Sequence, residues 1–383
     1  MTGRLYYHDC YLRDFQAQVV ENSADGLRVY LDRTAFYPTS GGQPFDTGRL
    51  GGAAVLEVVD EGERVAHLVD KPLPAGPVEG HIDWPRRYDH MQQHTGQHLL
   101  SAVLVELYGI PTVGFHLGAA ASTIDVDAAS LDAGRLENAE QRCAQIVAEA
   151  RPVVISFEDA SGNLELRKPS ERAGRLRILT IQGIDRSACG GTHVRSTAEI
   201  GPILIRRLEK IRGNLRLEFV CGMRAFEAAR SDFRLLSELS RTLSAPFESL
   251  PSLVARQVER VATLEKTTQR LASELARRLG RELYLNTAPD AAGVRRVTER
   301  GAIDDAMRAR AQAFVAGQKA VFLAISEDPP SLLLAASADS ELDAGARLKE
   351  ALAAAGGRGG GSRTLAQGSL PSLDALNTVI QHL

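Results

Sequence analysis

Four cysteines, Cys10, Cys143, Cys189 and Cys221, are spread over 383 residues. They are too few and too scattered for a disulfide framework, so cysteine chemistry here points to metal binding or catalysis. Long apolar runs are also missing: AVFLAI at 320–325 is among the longest aliphatic stretches, and a helix needs about 20 apolar residues to span a bilayer. The first residues, MTGRLYYHDCYLRDF, carry charge and aromatics where a signal peptide needs an apolar centre. A cytoplasmic location is therefore expected. An excess of positive charge is absent as well, with 45 Lys and Arg against 48 Asp and Glu and a net charge of −3. A polynucleotide partner would have to be met by a local face and not by the field of the whole chain.

Hydrophobic residues at 44% and charged residues at 24% match a globular chain that folds in water, and exclude disorder and collagen-like repeats. The length exceeds one ordinary core and predicts two or three domains. Residues 1–88 are rich in turn signals, with β-like runs LRVYL (27–31) and AAVLEVV (53–59), and predict a small β-barrel-like domain. A helix is predicted next: Asp83 suits its cap, Pro85 its first turn, and Gly109 and Pro111 end it. Together with the strand-like runs ILTI (178–181), ILI (203–205) and LRLEFV (215–220), it makes 89–222 an α+β core.

Residues 223–285 read as a helical hairpin or coiled-coil linker. Apolar residues recur at Val254, Val258, Val261, Leu264, Leu271, Leu275 and Leu279, a spacing that suits either intrachain packing or a homodimer seam. Residues 286–383 alternate helical patterns with buried-strand runs and predict an α/β domain, with the glycine-rich stretch GGRGGGSRTLAQGSL (356–370) as a loop. The whole is of the α+β class.

Two short segments carry the chemistry, HTGQH at 94–98 and CGGTH at 189–193. His94 and His98 are four apart, so on a helix both imidazoles leave one face a turn apart. Cys189 and His193 add a thiolate and a third imidazole, completing a donor set that zinc prefers. Four protein donors close a tetrahedron, as structural zinc sites do, whereas catalytic sites keep a position open. Thr95 stands where the HExxH pattern of zinc proteases carries its general-base Glu, which excludes that class. Neither a serine nor a cysteine nucleophile with a paired base is evident. His90 and His116 are further candidates for proton transfer.

The segments LDRTAFYPTSGGQPFDTG (31–48), RRYDHMQQHTGQHLL (86–100) and IDRSACGGTH (184–193) together resemble the editing domain of alanyl-tRNA synthetases and of their free-standing relatives, the AlaX proteins. The stretch 356–370 resembles the glycine-rich end of the synthetase's carboxy-terminal domain, so the resemblance covers nearly the whole chain, as in the long AlaX form. It implies an ATP-independent hydrolase acting in trans on alanine tRNA mischarged with serine, and on the glycine ester, with one Zn2+ per chain. Serine differs from alanine by a hydroxyl that an apolar pocket rejects poorly, while a second site that hydrogen-bonds the hydroxyl discriminates well.

On the family motif, Thr34 and Gln43 match the editing-site residues, Gly41 and Gly42 the substrate loop, and His94, His98, Cys189 and His193 the metal ligands. Ser40 replaces a glycine frequent in the family. Asp185 is a substrate-site candidate that either orients a ligand histidine or caps a loop. Arg206, Arg207, Lys210 and Arg212, in IRRLEKIRGNLRLE (205–218), are candidates for tRNA phosphates, with a solvated strand face as the equal alternative. Residues 290–383 hold ten Lys and Arg against eleven Asp and Glu, so only backbone N–H groups at Gly359, Gly360 and Gly361 point to RNA there. Two other readings remain open: a noncatalytic zinc-stabilised RNA-binding or dimerisation module, and an editing deacylase of the threonyl type.

Overall fold

The computed structural model describes the chain apart from residues 163, 170–172 and 212 and the side chain of residue 382. It divides into two compact units, Met1–Leu239 and Ser240–Leu383.

The first unit opens with β1 (Gly3–Arg4), β2 (Asp14–Asn22), β3 (Arg28–Leu31), β4 (Arg33–Thr34), β5 (Gly48–Leu50), β6 (Ala53–Glu61), β7 (Arg64–Val69) and β8 (Gly76–Ile82). A closed barrel forms in the order β2-β3-β7-β6-β5-β8, while β1 and β4 make a short parallel pair beside it. Alternation explains the closure: along β2, Phe15, Ala17 and Val19 are buried and their neighbours face solvent. These side chains meet Val29, Leu31, Val55, Val65 and Val78 in one apolar core.

The predicted helix follows as α1 (Trp84–Tyr108), with the Asp83 carboxylate accepting from Arg86 N–H, proline in the first turn and Gly109 ending it at φ 65°. Arg87, fully buried, holds this helix to the barrel by pairing with Asp46 and donating to the carbonyls of Cys10 (2.9 Å) and Ala35 (2.6 Å). Removing either partner would leave a buried charge uncompensated, at a cost of about 3–5 kcal/mol.

Next come β9 (Thr112–Leu117), β10 (Ser122–Val126), α2 (Ala133–Ala148), β11 (Val153–Asp159), β12 (Arg175–Ile181), β13 (Asp185–Ala188), β14 (Ile203–Ile211) and β15 (Asn214–Cys221). They form antiparallel sheets of order β14-β15-β10-β9 and β11-β12-β13. Helix α1 packs on α2 and touches both sheets, and Leu99, Leu100, Val103 and Leu104 join Ile124, Leu179, Leu217 and Phe219 in the largest core. Because α1 is enclosed on several sides, its polar residues His94, Gln97 and His98 are buried too. A buried polar row needs partners, and those partners make the site.

Helices α3 (Gly222–Leu243) and α4 (Leu250–Asn286) come next in the chain, and the unit boundary falls within α3. In the second unit, β16 (Arg295–Arg300), α5 (Asp305–Val315), β17 (Ala320–Glu327), β18 (Pro330–Ala336), α6 (Ala344–Ala354), β19 (Arg358–Gly361), β20 (Leu365–Ser369) and α7 (Leu373–His382) build a sheet of order β16-β17-β18-β20-β19. The end of α4 packs on α5, where Gly280 lies so close that a Cβ would come within 2.2 Å of the Arg310 carbonyl. The glycine-rich segment differs from expectation: Gly359, Gly360 and Gly361 lie in edge strand β19, paired to β20, and not in a loop. The reason is close packing, since a Cβ on Gly359 would meet Leu352 of α6 at 2.6 Å and the Gln367 carbonyl at 2.5 Å. No helix among the described residues is long and apolar enough to cross a membrane.

Candidate metal centre and editing site

His94 and His98 leave the same face of α1 with their rings nearly parallel, centroids 5.4 Å apart. Cys189 and His193 arrive on the loop that follows β13. That loop passes so close to α1 that a Cβ on Gly191 would stand 2.2 Å from His94 Cε1, so the CGGTH segment needs glycine there. One donor atom from each of the four residues lies within 4.8 Å of the other three. Cys189 Sγ is 3.4 Å from His94 Nε2 and 3.3 Å from His193 Nε2, close to the edge of about 3.5 Å that tetrahedral zinc bonds of 2.3 and 2.0–2.1 Å imply.

The imidazoles are held from behind. His94 Nδ1 donates to Gln43 Oε1 (2.9 Å), His98 Nδ1 to Asp185 Oδ2 (3.1 Å), and His193 Nδ1 to Thr95 Oγ1 (3.3 Å). With each proton on Nδ1, each Nε2 lone pair turns to the common centre, the arrangement that fixes metal-ligating histidines. His98 Nε2 is buried with no hydrogen-bond partner, an orphaned nitrogen that a cation would satisfy. Burial alone would raise the Cys189 thiol, but the His94 and His193 imidazoles hold its pKa well below the ordinary value. Burial pushes His193 down to about 3. Burial also opposes charge on His98, yet Asp185 and the Cys189 sulfur outweigh it and raise its pKa to about 9, so Nε2 gives up a proton when a metal takes that place. Thiolate and imidazole donors of this kind fit zinc.

Gln43 reaches the cluster from the barrel side, its Oε1 also accepting Thr192 N–H (3.1 Å) and its Nε2 donating to Thr192 Oγ1 (2.8 Å). Gly41 and Gly42, at φ 55° and 81°, form the tight turn that presents it. Asp185, fully buried, spends its oxygens on His98, Arg167 Nε (2.7 Å) and Ser187. Thr34 sits apart: its enclosed hydroxyl donates to His67 Nε2 (2.8 Å) and accepts from Phe36 N–H (3.1 Å) inside the barrel. His90 lies one turn before His94 and is pushed down to about 3 by burial and by Arg86, Arg224 and Arg87, while His116 is exposed.

The basic run lies on β14, an edge strand. Arg206 pairs with Asp232 (2.5 Å) and Arg207 with Glu209 (2.6 Å), which neutralises much of the stripe. Lys210 is exposed, and Arg212 lies outside the described residues. Sequence reasoning missed Thr95 and Thr192, although both stand inside the ligand motifs. It also missed Arg177, whose guanidinium donates to the carbonyls of Cys189 (2.7 Å) and Tyr7 (3.1 Å). No local pattern marks Arg177, because strand pairing brings it there.

Residues 176–217 match the family described as the second additional domain of threonyl and alanyl tRNA synthetases. The chain is 34% identical to the alanyl-tRNA editing protein AlaX-L of Pyrococcus horikoshii, over 74% of this chain and 72% of that protein. It belongs to the alanyl-tRNA editing proteins. The editing protein Aarsd1 of Mus musculus is 29% identical over 95% of this chain and 93% of its own length. The alanine–tRNA ligase of Pyrococcus abyssi is 31% identical over 100% of this chain, which spans 43% of the ligase. As an alanyl-tRNA editing protein the chain is a deacylase of protein biosynthesis that hydrolyses the ester bond of mischarged tRNA.

Proposed function

We propose that the chain frees alanine tRNA of serine, and of glycine, with one zinc ion held by His94, His98, Cys189 and His193. The observation that carries this reading is the convergence of three Nε2 atoms and one thiolate within 4.8 Å, with Gln43, Asp185 and Thr95 fixing the imidazoles from outside. Zinc bound there would supply Lewis-acid polarisation of an ester carbonyl or a water once one of the four donors gives up its place. Hydrolysis adds water to the carbonyl carbon and breaks the bond to the ribose oxygen, releasing the amino acid and a free terminal hydroxyl.

The residues of the chain then orient and select. Gln43 uses three of its four hydrogen-bonding sites on His94 and Thr192. Its remaining Nε2–H is the donor we assign to the seryl hydroxyl, with the Gly41–Gly42 turn as the wall beside it. The same turn leaves Gln43 rigid, and a rigid donor left unpaired by an alanyl group disfavours alanine. Asp185 is assigned to orienting His98. Thr34 is assigned to selectivity, with its proton given to His67 and an oxygen lone pair as the acceptor for serine. Phosphate contacts are assigned to Lys210 and its neighbours Arg206, Arg207 and Arg212, and to the edge of β19 at Gly359, Gly360 and Gly361. Residues 1–222 carry every editing motif, and the segments 223–285 and 286–383 are assigned to tRNA affinity and to a homodimer.

The test is the release of serine, glycine and alanine from alanine tRNA charged with each, with and without chelator. Rapid release of serine and glycine that chelator abolishes and zinc restores is expected. No release of serine by the zinc-loaded protein, or release unaffected by chelator, overturns the reading.

A further inference from the structure

Two cavities flank the cluster. One, of ≈540 Å³, opens beside His98 and is lined by Gln97, Thr112, Gly114, Arg167 and Lys168. The other, of ≈440 Å³, opens beside Cys189 and Gly190 and is lined by Tyr7, Phe157, Arg175 and Arg177. The scissile ester joins a small acyl group to a nucleoside, so a deacylase needs a seat for that nucleoside one bond from its reacting centre. The two cavities differ in what they offer it.

The face of the β11-β12-β13 sheet beside Cys189 is built like a single-strand RNA platform. Phe157 on β11 stands directly opposite Arg177 on β12, and Arg175, two residues earlier on the same strand, shares its face. The Arg175 guanidinium lies 5.3 Å from the centre of the Phe157 ring, and that of Arg177 lies 5.6 Å from the Tyr7 ring. Exposure is graded outward from the metal: Arg177 is buried, Tyr7 and Phe157 are half-buried, and Arg175 is exposed. Arg177 also grips the Cys189 carbonyl at 2.7 Å, so the platform is rigidly registered to the donor cluster. Half-buried aromatic rings with guanidinium groups beside them recognise unpaired bases by stacking and backbone by charge, with little sequence preference. Among the described residues the cavity beside His98 offers one phenyl ring, Phe115, packed on His94 at 5.1 Å within the donor cluster, whereas the cavity beside Cys189 offers two rings, Phe157 and Tyr7, braced from behind by His8 at 5.2 Å and Tyr6 at 4.9 Å.

We infer that the Tyr7–Phe157–Arg175 cavity seats the unpaired 3′-terminal nucleotide of the tRNA, the base against Phe157 and Tyr7 and the adjoining phosphate at Arg175, with the acyl group directed past Gly190 to the metal. The inference rests on the deacylase reading and names the nucleotide subsite of that reaction.

Binding of a free cytidyl-cytidyl-adenosine trinucleotide to the full-length, zinc-loaded protein tests it by calorimetry, independently of hydrolysis. Phe157→Leu, which keeps apolar packing and removes the aromatic face, weakens trinucleotide binding roughly 5- to 150-fold, the range of one base stack. Arg175→Ala weakens it by about 5-fold or more, and Lys168→Ala, in the opposite cavity, leaves it unchanged. With seryl-tRNA the same two losses appear in KM more than in kcat, at unchanged zinc content. Wild-type affinity in both Phe157→Leu and Arg175→Ala, or a loss that follows Lys168→Ala instead, overturns the assignment. A wild-type protein that binds the trinucleotide with the expected variant pattern but releases no serine sinks the deacylase reading and leaves the nucleotide seat standing.

Discussion

The barrel and the helical layer beside it each bury an imidazole, and the two end in opposite states. In the barrel, His67 donates from Nδ1 to the Val29 carbonyl (3.3 Å) and accepts the Thr34 hydroxyl at Nε2. Both nitrogens are satisfied, and burial pushes the pKa down to about 4. In the layer, His98 has one nitrogen on Asp185 and the other without a hydrogen-bond partner beside the Cys189 sulfur, and these two raise its pKa to about 9, so a proton must leave Nε2 for an ion to bind there. Burial is common to both. What makes one a structural strut and the other a candidate metal donor is whether the second nitrogen finds a protein partner, and whether a carboxylate stands behind the first.

The harshest way to break the contrast is to remove the anion at the centre. Cys189→Ala is expected to abolish stoichiometric zinc and to slow seryl-ester hydrolysis by about three orders of magnitude or more, read by elemental analysis and single-turnover release. His67→Ala should leave zinc content unchanged, and zinc loss there would erase the distinction between the two histidines.

Acidification separates them next. The unfolded His67 imidazole binds a proton below about pH 6.5, whereas the folded one resists protonation until about pH 4. Between those values the unfolded state holds the extra proton. Stability is therefore flat in this respect above pH 6.5 and falls as pH drops through the window, by up to about 3 kcal/mol. Urea titrations of the wild type and His67→Gln at pH 7, 6 and 5 measure it, and equal slopes in the two proteins would show that His67 is not held neutral.

Asp185→Asn keeps the shape behind His98 and removes the charge, so zinc affinity should fall about 10- to 100-fold, measured by competition with a chelating dye. An unchanged affinity would mean that the carboxylate serves only Arg167 and Ser187.

The mildest change is Thr34→Val. It leaves His67 Nε2 without its donor and should cost about 1–2 kcal/mol of stability, with a loss of serine-over-alanine discrimination of at most roughly tenfold. A stability loss with discrimination intact would confine Thr34 to the barrel wall.

Much of this protein can be read along the chain because its signals are local. The 94/98 spacing on α1, the Asp83 cap and the Gly109 stop are short-range patterns, and the structure follows them. The runs LRVYL and AAVLEVV likewise read as strands, and they form β3 and β6 of the barrel. The glycine-rich tract was misleading because glycine signals a turn and close packing alike, and only α6 lying on β19 distinguishes the two. The basic run promised more free charge than it has, because Asp232, 26 residues from Arg206, is its partner only in the folded chain.

The candidate donor set, three histidines and one cysteine in two compact motifs, is legible in sequence alone, since residue type suits a metal such as zinc and spacing dictates the helical face. Which acceptor stands behind each imidazole was decided by the tertiary structure. Gln43 lies 51 residues from His94 and Asp185 lies 87 from His98, separations over which no periodic pattern operates. Strand register did the same for the aromatic and basic face beside Cys189, by placing Phe157 opposite Arg177. A one-residue slip in that pairing would turn the two side chains to opposite faces of the sheet.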